Sequence, residues 1–150
     1  MPAQLRSALF YRDPRAALAW LEKAFGFELA MLLETAEGDI AHSQMSYGDG
    51  LIMVGTEWSD LHRSPASLEG RNTQTVNIEL GEGEDVNAHC ERARAAGAVI
   101  LAEPETQFYG DRTYRCSDPE GHMWTISQTV QAVSREEAEA ATGLKITGWR

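Results

Sequence analysis

Cys90 and Cys116 are the only cysteines in the 150 residues, and they stand in no CxxC spacing. That number excludes a disulfide framework, and both are expected as small core residues with free thiols. Basic residues are also scarce: 13 Lys and Arg face 23 Asp and Glu, a formal charge of −10. Such a surface repels phosphate backbones and anionic bilayers, so neither nucleic acid nor a membrane is an expected partner. Much of the acidity lies in residues 79–91 and 134–139, where it reads as solvated helix faces and loops. No apolar run approaches the roughly 20 residues a membrane helix needs. The N-terminus MPAQLRSALFYRDP shows no apolar core followed by a small-residue cleavage site, and the expectation is cytoplasmic residence. GxSxG, P-loop and Rossmann glycine patterns are missing, as is a Cys–His pairing signature. Nucleotide hydrolysis, hydride transfer and covalent acyl chemistry therefore have no positive signal.

What is present suits one ordinary globular domain, with 43% hydrophobic and 24% charged residues. LRSALFY at 5–11 reads as a strand that stops at Asp13-Pro14, an N-cap followed by proline at the first helical position. Ala17, Leu18, Leu21, Ala24 and Phe25 recur at helical spacing, and Gly26 follows where a left-handed residue ends a helix. Strands are expected at 27–35, 39–48 and 51–57, with Glu37-Gly38 and Asp49-Gly50 as hairpin turns. Residues 58–72 hold Pro65 and Gly70 and read as a connection without an element.

The same order then recurs. A strand is expected at 73–80, a helix over about Asp85–Ala96, and strands near 98–102, 112–117 and 122–129. Gly26 and Gly97 lie 71 residues apart, as do Gly50 and Gly121, which argues for an internal duplication. The expected fold class is α+β: two tandem βαβββ modules, at about 4–57 and 73–129, whose curved mixed sheets surround a cavity. A tail over 130–150 carries a short helix, opened by a capping box of Ser134 and Glu137. Strand parity separates helix-facing from cavity-facing residues. Val76, Ile78 and Leu80 alternate with Thr75, Asn77 and Glu79, while His42, Gln44 and Ser46 alternate with Ala41, Ser43 and Met45. The polar sets face either a cavity or bulk solvent.

RDPRAALAWLEKAFGFE at 12–28, IAHSQMSYGDGLIMVG at 40–55, AHCERARAAGAVI at 88–100 and YGDRTYRCSDPEGHMWTIS at 109–127 resemble the glyoxalase/bleomycin-resistance/dioxygenase superfamily, also called vicinal oxygen chelate. The likeness is greatest to its PhnB-like branch. It covers about residues 5–129, and DPEGHMW is its most specific run. The resemblance implies paired βαβββ modules, commonly dimeric. It also implies metal ligands, typically His and Glu, on the first and last strand of each module. Those four positions map here near Arg6, Val54, Thr75 and Thr125, none a usual ligand.

The expected function is therefore metal-independent binding, or sequestration, of a small molecule by a homodimer with no cofactor. The alternative is a metal-dependent lyase, isomerase or dioxygenase with a site rebuilt from His42 and Glu79 around a divalent metal. The expected ligand contacts are Arg6, His42, Gln44, Val54, Thr75, Asn77 and Thr125, with Trp58 and Arg112 near the mouth of one shared cavity. Arg6 needs an acceptor, which is Glu79, a ligand or water. His42 is either a hydrogen-bonded sheet residue or a pocket contact. Trp58 either closes over a ligand or anchors its loop, and Arg112 either reaches the mouth or braces a turn.

Overall fold

Asp13 and Pro14 open the first helix as their chemistry requires. In the computed structural model, which describes residues 1–149, the Asp13 carboxylate accepts the Ala16 N–H at 3.0 Å. Arg150, the last residue of the expected tail, lies outside the described residues. Helix α1 (Pro14–Phe25) ends at Gly26, whose φ of 87° suits a residue without a Cβ. Around it lie β1 (Ser7–Tyr11), β2 (Glu28–Glu34), β3 (Ile40–Tyr47) and β4 (Gly50–Thr56). The second half contains β5 (Val76–Glu79), α2 (Val86–Ala95), β6 (Val99–Thr106), β7 (Asp111–Ser117) and β8 (Met123–Thr129), and α3 (Arg135–Thr142) follows. The connection that was expected to lack elements holds one turn of 3-10 helix, Pro65–Ser67, started by the Ser64 hydroxyl and Pro65.

The strands form two open four-stranded mixed sheets, ordered β1-β4-β3-β2 and β5-β8-β7-β6. β1 runs parallel to β4 and β5 parallel to β8, while every other pair is antiparallel. Strand, helix and three strands thus occur twice, the architecture expected of an α+β chain of paired modules. No helix among the described residues is long and apolar enough to cross a membrane.

Both helices lie on the inner side of this arrangement and touch each other. Sheet one contributes Leu9, Tyr11, Met45, Ile52 and Val54 to the core, and sheet two contributes Ile78, Tyr114, Cys116, Trp124 and Ile126. The two modules share that core. Phe25 of α1 meets Trp124 of β8 edge-on at 5.2 Å and stacks on His89 of α2 at 5.6 Å. Arg92 of α2 caps the end of α1, donating to the Lys23 and Glu22 carbonyls at 2.8 and 3.0 Å.

Two sequence expectations need correction. β6 was expected to stop near 102 but continues to Thr106 through Pro104. It is an edge strand with a register shift between Ala102 and Glu105, the setting in which a strand tolerates proline. Gly50 and Gly121, moreover, are not equivalent. Gly121 has a φ of 90° in a five-residue connection, residues 118–122, whereas Gly50 lies within β4 after a two-residue turn. The constant offset therefore fails in the last strand, and the counterpart of Val54 is Ile126. Each is buried, and each pairs with a buried residue of its first strand, Leu9 or Ile78.

The modules are joined by the connection that breaks the offset. Asp118 is buried, and its carboxylate accepts the Tyr11 hydroxyl at 2.6 Å, Trp124 Nε1 at 3.2 Å, and the Glu120 and His122 N–H groups at 3.0 Å. Glu120 accepts the Arg12 and Asp13 N–H groups at 2.6 and 3.0 Å and the Ser64 hydroxyl at 2.7 Å. Replacing Asp118 by Ala leaves the Tyr11 and Trp124 donors buried without a partner. We expect a loss of about 3 kcal/mol, and at roughly 2–4 °C per kcal/mol a melting temperature lower by about 6–12 °C. A change of less than about 1 kcal/mol in urea denaturation would show that this joint is dispensable.

Candidate functional site

With α1 and α2 covering one face of each sheet, the alternate residues form two open faces. On sheet one the register aligns Ala8, Met53, Gln44 and Met31 in one row, with Leu33 opposite His42 in the next. This face is mostly apolar: Met31 and Leu33 are 42% and 50% exposed. His42 and Gln44 pair on it, with Gln44 Nε2 donating to His42 Nε2 at 3.0 Å. On sheet two Asn77, Thr125 and Arg115 form one row, and Glu79, Ser127 and Thr113 form another. Arg115 is exposed, and no ion pair involves it among the described residues.

The expected contacts do not meet in one cavity. Arg6, Thr75 and Asn77 come together in a cleft of about 1210 Å³ between the modules, beside Tyr47, Glu84 and Arg92. Arg6 is exposed there and donates to the Gln4 side chain at 3.3 Å. His42 and Gln44 lie apart from it on the open face of sheet one, and Thr125 lies on that of sheet two. Val54 faces the core and is 1% exposed, because the longer turn before β8 breaks the offset on which its placement rested. Arg112 shares the parity of Tyr114 and Cys116 and so points to the helix side. There its Nε donates to Asn87 Oδ1 at 2.9 Å and braces α2 instead of reaching a mouth.

Three residues with no expected role add to the faces. Arg115 could be placed from the sequence, since buried Tyr114 and Cys116 force it to the opposite side of β7. Phe10 shares parity with Ala8, and its ring packs over Gly55, where a Cβ would meet it at 3.4 Å. His62 lies in an aperiodic loop, so no pattern predicts its place. Its ring stacks on Trp58 at 3.9 Å and meets Phe10 edge-on at 4.9 Å. Trp58 is nonetheless 65% exposed, an aromatic surface beside the end of β1.

Several perturbed groups are engaged within the core, whereas Tyr47, whose hydroxyl pKa is raised by burial, faces the cleft and donates to Glu84 at 2.6 Å. Burial pulls the His89 pKa down, and its Nε2 lies 3.1 Å from the Phe25 carbonyl, which can only accept. The neutral ring therefore accepts the Tyr114 hydroxyl at Nδ1. Burial pushes the Cys116 thiol up to about 12 and the Cys90 thiol upward, so neither is a thiolate at neutral pH. Among the described residues no three His, Cys, Asp or Glu side chains are grouped so as to hold a metal ion.

The model of the Glyoxalase/Bleomycin resistance protein/Dioxygenase superfamily matches residues 4–126. The chain belongs to this superfamily. The uncharacterized protein Mb0911c of Mycobacterium bovis is 28% identical over 133 residues, 86% of this chain and 85% of its own length. Among solved structures, TioX from a Micromonospora species is 29% identical, with a TM-score of 0.65 over 86% of this chain and 100% of its own. TnmS3, an antibiotic binding protein from a Streptomyces species, shares the fold at 16% identity, with a TM-score of 0.64 over 86% of this chain and 97% of its own. The ligand positions to which the superfamily resemblance points are filled here by Arg6, Val54, Thr75 and Thr125, or by Ile126 once the register is corrected. No side chain among these suits a divalent metal.

Glu57 ties together the ends of the loop that carries Trp58. The Ser64 N–H, the largest cause, holds the Glu57 carboxyl down at about 2, and Arg63 Nε donates to the same oxygen at 2.9 Å. A carboxylate depressed by folding adds stability above its unfolded pKa and loses it as the pH falls through the folded value. Glu57→Gln should therefore be less stable than the parent at pH 7, and the gap should close as the pH falls from about 4.5 to about 2. Paired urea titrations across that range check this, and a gap that persists at pH 2 would refute it.

Proposed function

We propose that this chain is a metal-independent small-molecule-binding protein that sequesters its ligand on the open sheet faces as a homodimer. The observation that carries this reading is the state of those faces. One is apolar, with Met31, Leu33 and Met53. The other is polar, with Arg115, Thr125 and Asn77, and no sheet of the same chain covers either. A second copy laid across them would bury the apolar face and enclose a cavity in which a few polar groups orient the ligand. The fold shared with an antibiotic binding protein supports the same reading. The DPEGHMW run supports a PhnB-like placement within the superfamily, and the acidic, cysteine-poor composition suits the cytoplasm.

The alternative of a rebuilt metal site draws on His42 and Glu79. They lie on different sheets, and His42 Nε2 is already engaged by Gln44. Purified protein should contain substoichiometric metal, and chelator treatment should leave the affinity for hits from an amphipathic small-molecule screen unchanged. Arg115→Ala and Thr125→Val should each weaken those hits, by about 1.5–3 kcal/mol where Arg115 makes a charge-assisted hydrogen bond. Stoichiometric metal that disappears with His42→Ala would instead establish the enzyme reading. Sedimentation at micromolar protein should show a dimer that Leu33→Asp dissociates, and a monomeric parent would exclude the assembly.

A further inference from the structure

The C-terminal tail, outside the residues matched to the superfamily, builds a cavity of its own. After β8 the chain crosses the β6–β7 turn so closely that a Cβ on Gly110 would lie 2.1 Å from the Gln131 carbonyl. Gly110 also has a φ of 96°, so two independent constraints require glycine there. The Val130 and Gln131 N–H groups both donate to the Gly110 carbonyl, at 3.0 and 3.1 Å. Beyond this clamp α3 is fixed by its capping box and ends at Gly143. The last residues then fold back, with the Ile146 N–H donating to Glu139 at 3.0 Å and Trp149 Nε1 to the Val133 carbonyl at 2.8 Å. The tail is thereby held as a wall.

Between this wall and the β6–β7 turn lies a cavity of about 900 Å³, a size that accommodates a small organic molecule. Phe108, Tyr109, Leu144 and Trp149 line it, and each is exposed despite its apolar surface. The polar lining includes two carboxylates, Glu79 and Asp111. Asp111 is only 8% exposed, and one of its oxygens accepts the Thr129 hydroxyl at 2.9 Å. No buried side-chain polar atom lacks a partner among the described residues, so the second Asp111 oxygen, which accepts no hydrogen bond there, keeps access to solvent in a residue that lines the cavity. No described lining residue is cationic. Aromatic faces and unpaired carboxylates in one concavity select positive charge on an apolar body.

We infer that the tail cavity is a second binding site, specific for an organic ammonium ion that carries an aromatic ring. The ring lies among Phe108, Tyr109 and Trp149, and the ammonium group faces Glu79 and Asp111. The overall charge of −10 steers such cations toward the protein. Apart from Glu79, which lies on the open face of sheet two, its lining comes from the tail, the end of β8, the start of β7 and the β6–β7 turn.

Phenethylammonium and its neutral counterpart 2-phenylethanol test the assignment on the intact chain by calorimetry, with the Trp149 indole N–H followed by NMR. The cation should bind about tenfold or more tightly than the alcohol and should shift the Trp149 signal. Asp111→Asn with Glu79→Gln should abolish the preference. The asparagine still accepts from Thr129, and an unchanged Trp124 indole signal reports an intact core. Trp149→Ala should weaken the cation by about tenfold. The proposal fails if the two probes bind equally, if the double variant keeps the preference, or if neither probe binds up to about 10 mM. It fails equally if the cation moves signals of β3 and β4 but not that of Trp149.

Discussion

The buried Asp118 carboxylate is the constraint on which the remainder of the molecule rests. A charge taken out of water is tolerable only when its oxygens are saturated with donors, and Asp118 meets that demand by drawing on both modules. Tyr11 comes from β1, Trp124 from β8, and two N–H groups from its own turn. Glu120 repeats the arrangement two residues on, receiving the N-terminus of α1 and the linker Ser64. His122 completes it by donating from Nε2 to the Phe10 carbonyl at 2.8 Å. The DPEGHMW run is therefore a joint. Its polar residues are spent holding β1 against the start of β8.

That joint decides where ligands can go. Fixing β1 beside β8 brings both helices to one side, where Phe25, His89 and Trp124 close a single core. The opposite faces are left without a covering sheet or helix from the modules, and the tail meets that of sheet two only at Glu79, Asp111 and Thr129. Exposed Met31 and Leu33 on one and unpaired Arg115 on the other follow from packing the helices inward, since parity sends every second residue the other way.

Local chemistry made much of this legible. Asp13-Pro14 and Gly26 mark α1 to the residue because capping depends on a few adjacent groups. Parity separated Val76 and Ile78 from Thr75 and Asn77 correctly. The sequence misled where a count had to be carried over a turn of unknown length. The five residues 118–122 replace a two-residue turn, so an offset valid at Gly97 no longer holds at Thr125, and Val54 passes from the expected site to the core. Arg112 misled for a related reason: the YGDR run suggested a mouth, while the parity of Tyr114 already placed it beside α2. The capping box of α3 was legible in Ser134 and Glu137, whereas His62 and the fold-back of the tail after Gly143 were not, because their positions arise from tertiary contacts that leave no periodicity.

The distribution of perturbed groups bears on whether this scaffold binds or reacts. Catalysis uses shifted groups that remain free to exchange protons with a substrate. Here His89 is locked neutral between Phe25 and Tyr114, Cys116 is held at about 12, and Tyr11 is raised well above its ordinary value by burial beside Asp118. Burial in the core is the first cause of each shift. The side chains that do face open surface, Arg6, Arg115, Asn77 and Thr125 on the modules and Glu79 and Asp111 at the tail, offer charge and hydrogen bonds but no activated nucleophile. Both signs meet in the cleft, where Arg6 lies among Glu79 and Glu84. At contact distance such local groups outweigh the −10 net charge. Each open region thus presents its own local charge and hydrogen-bonding groups to whatever enters it.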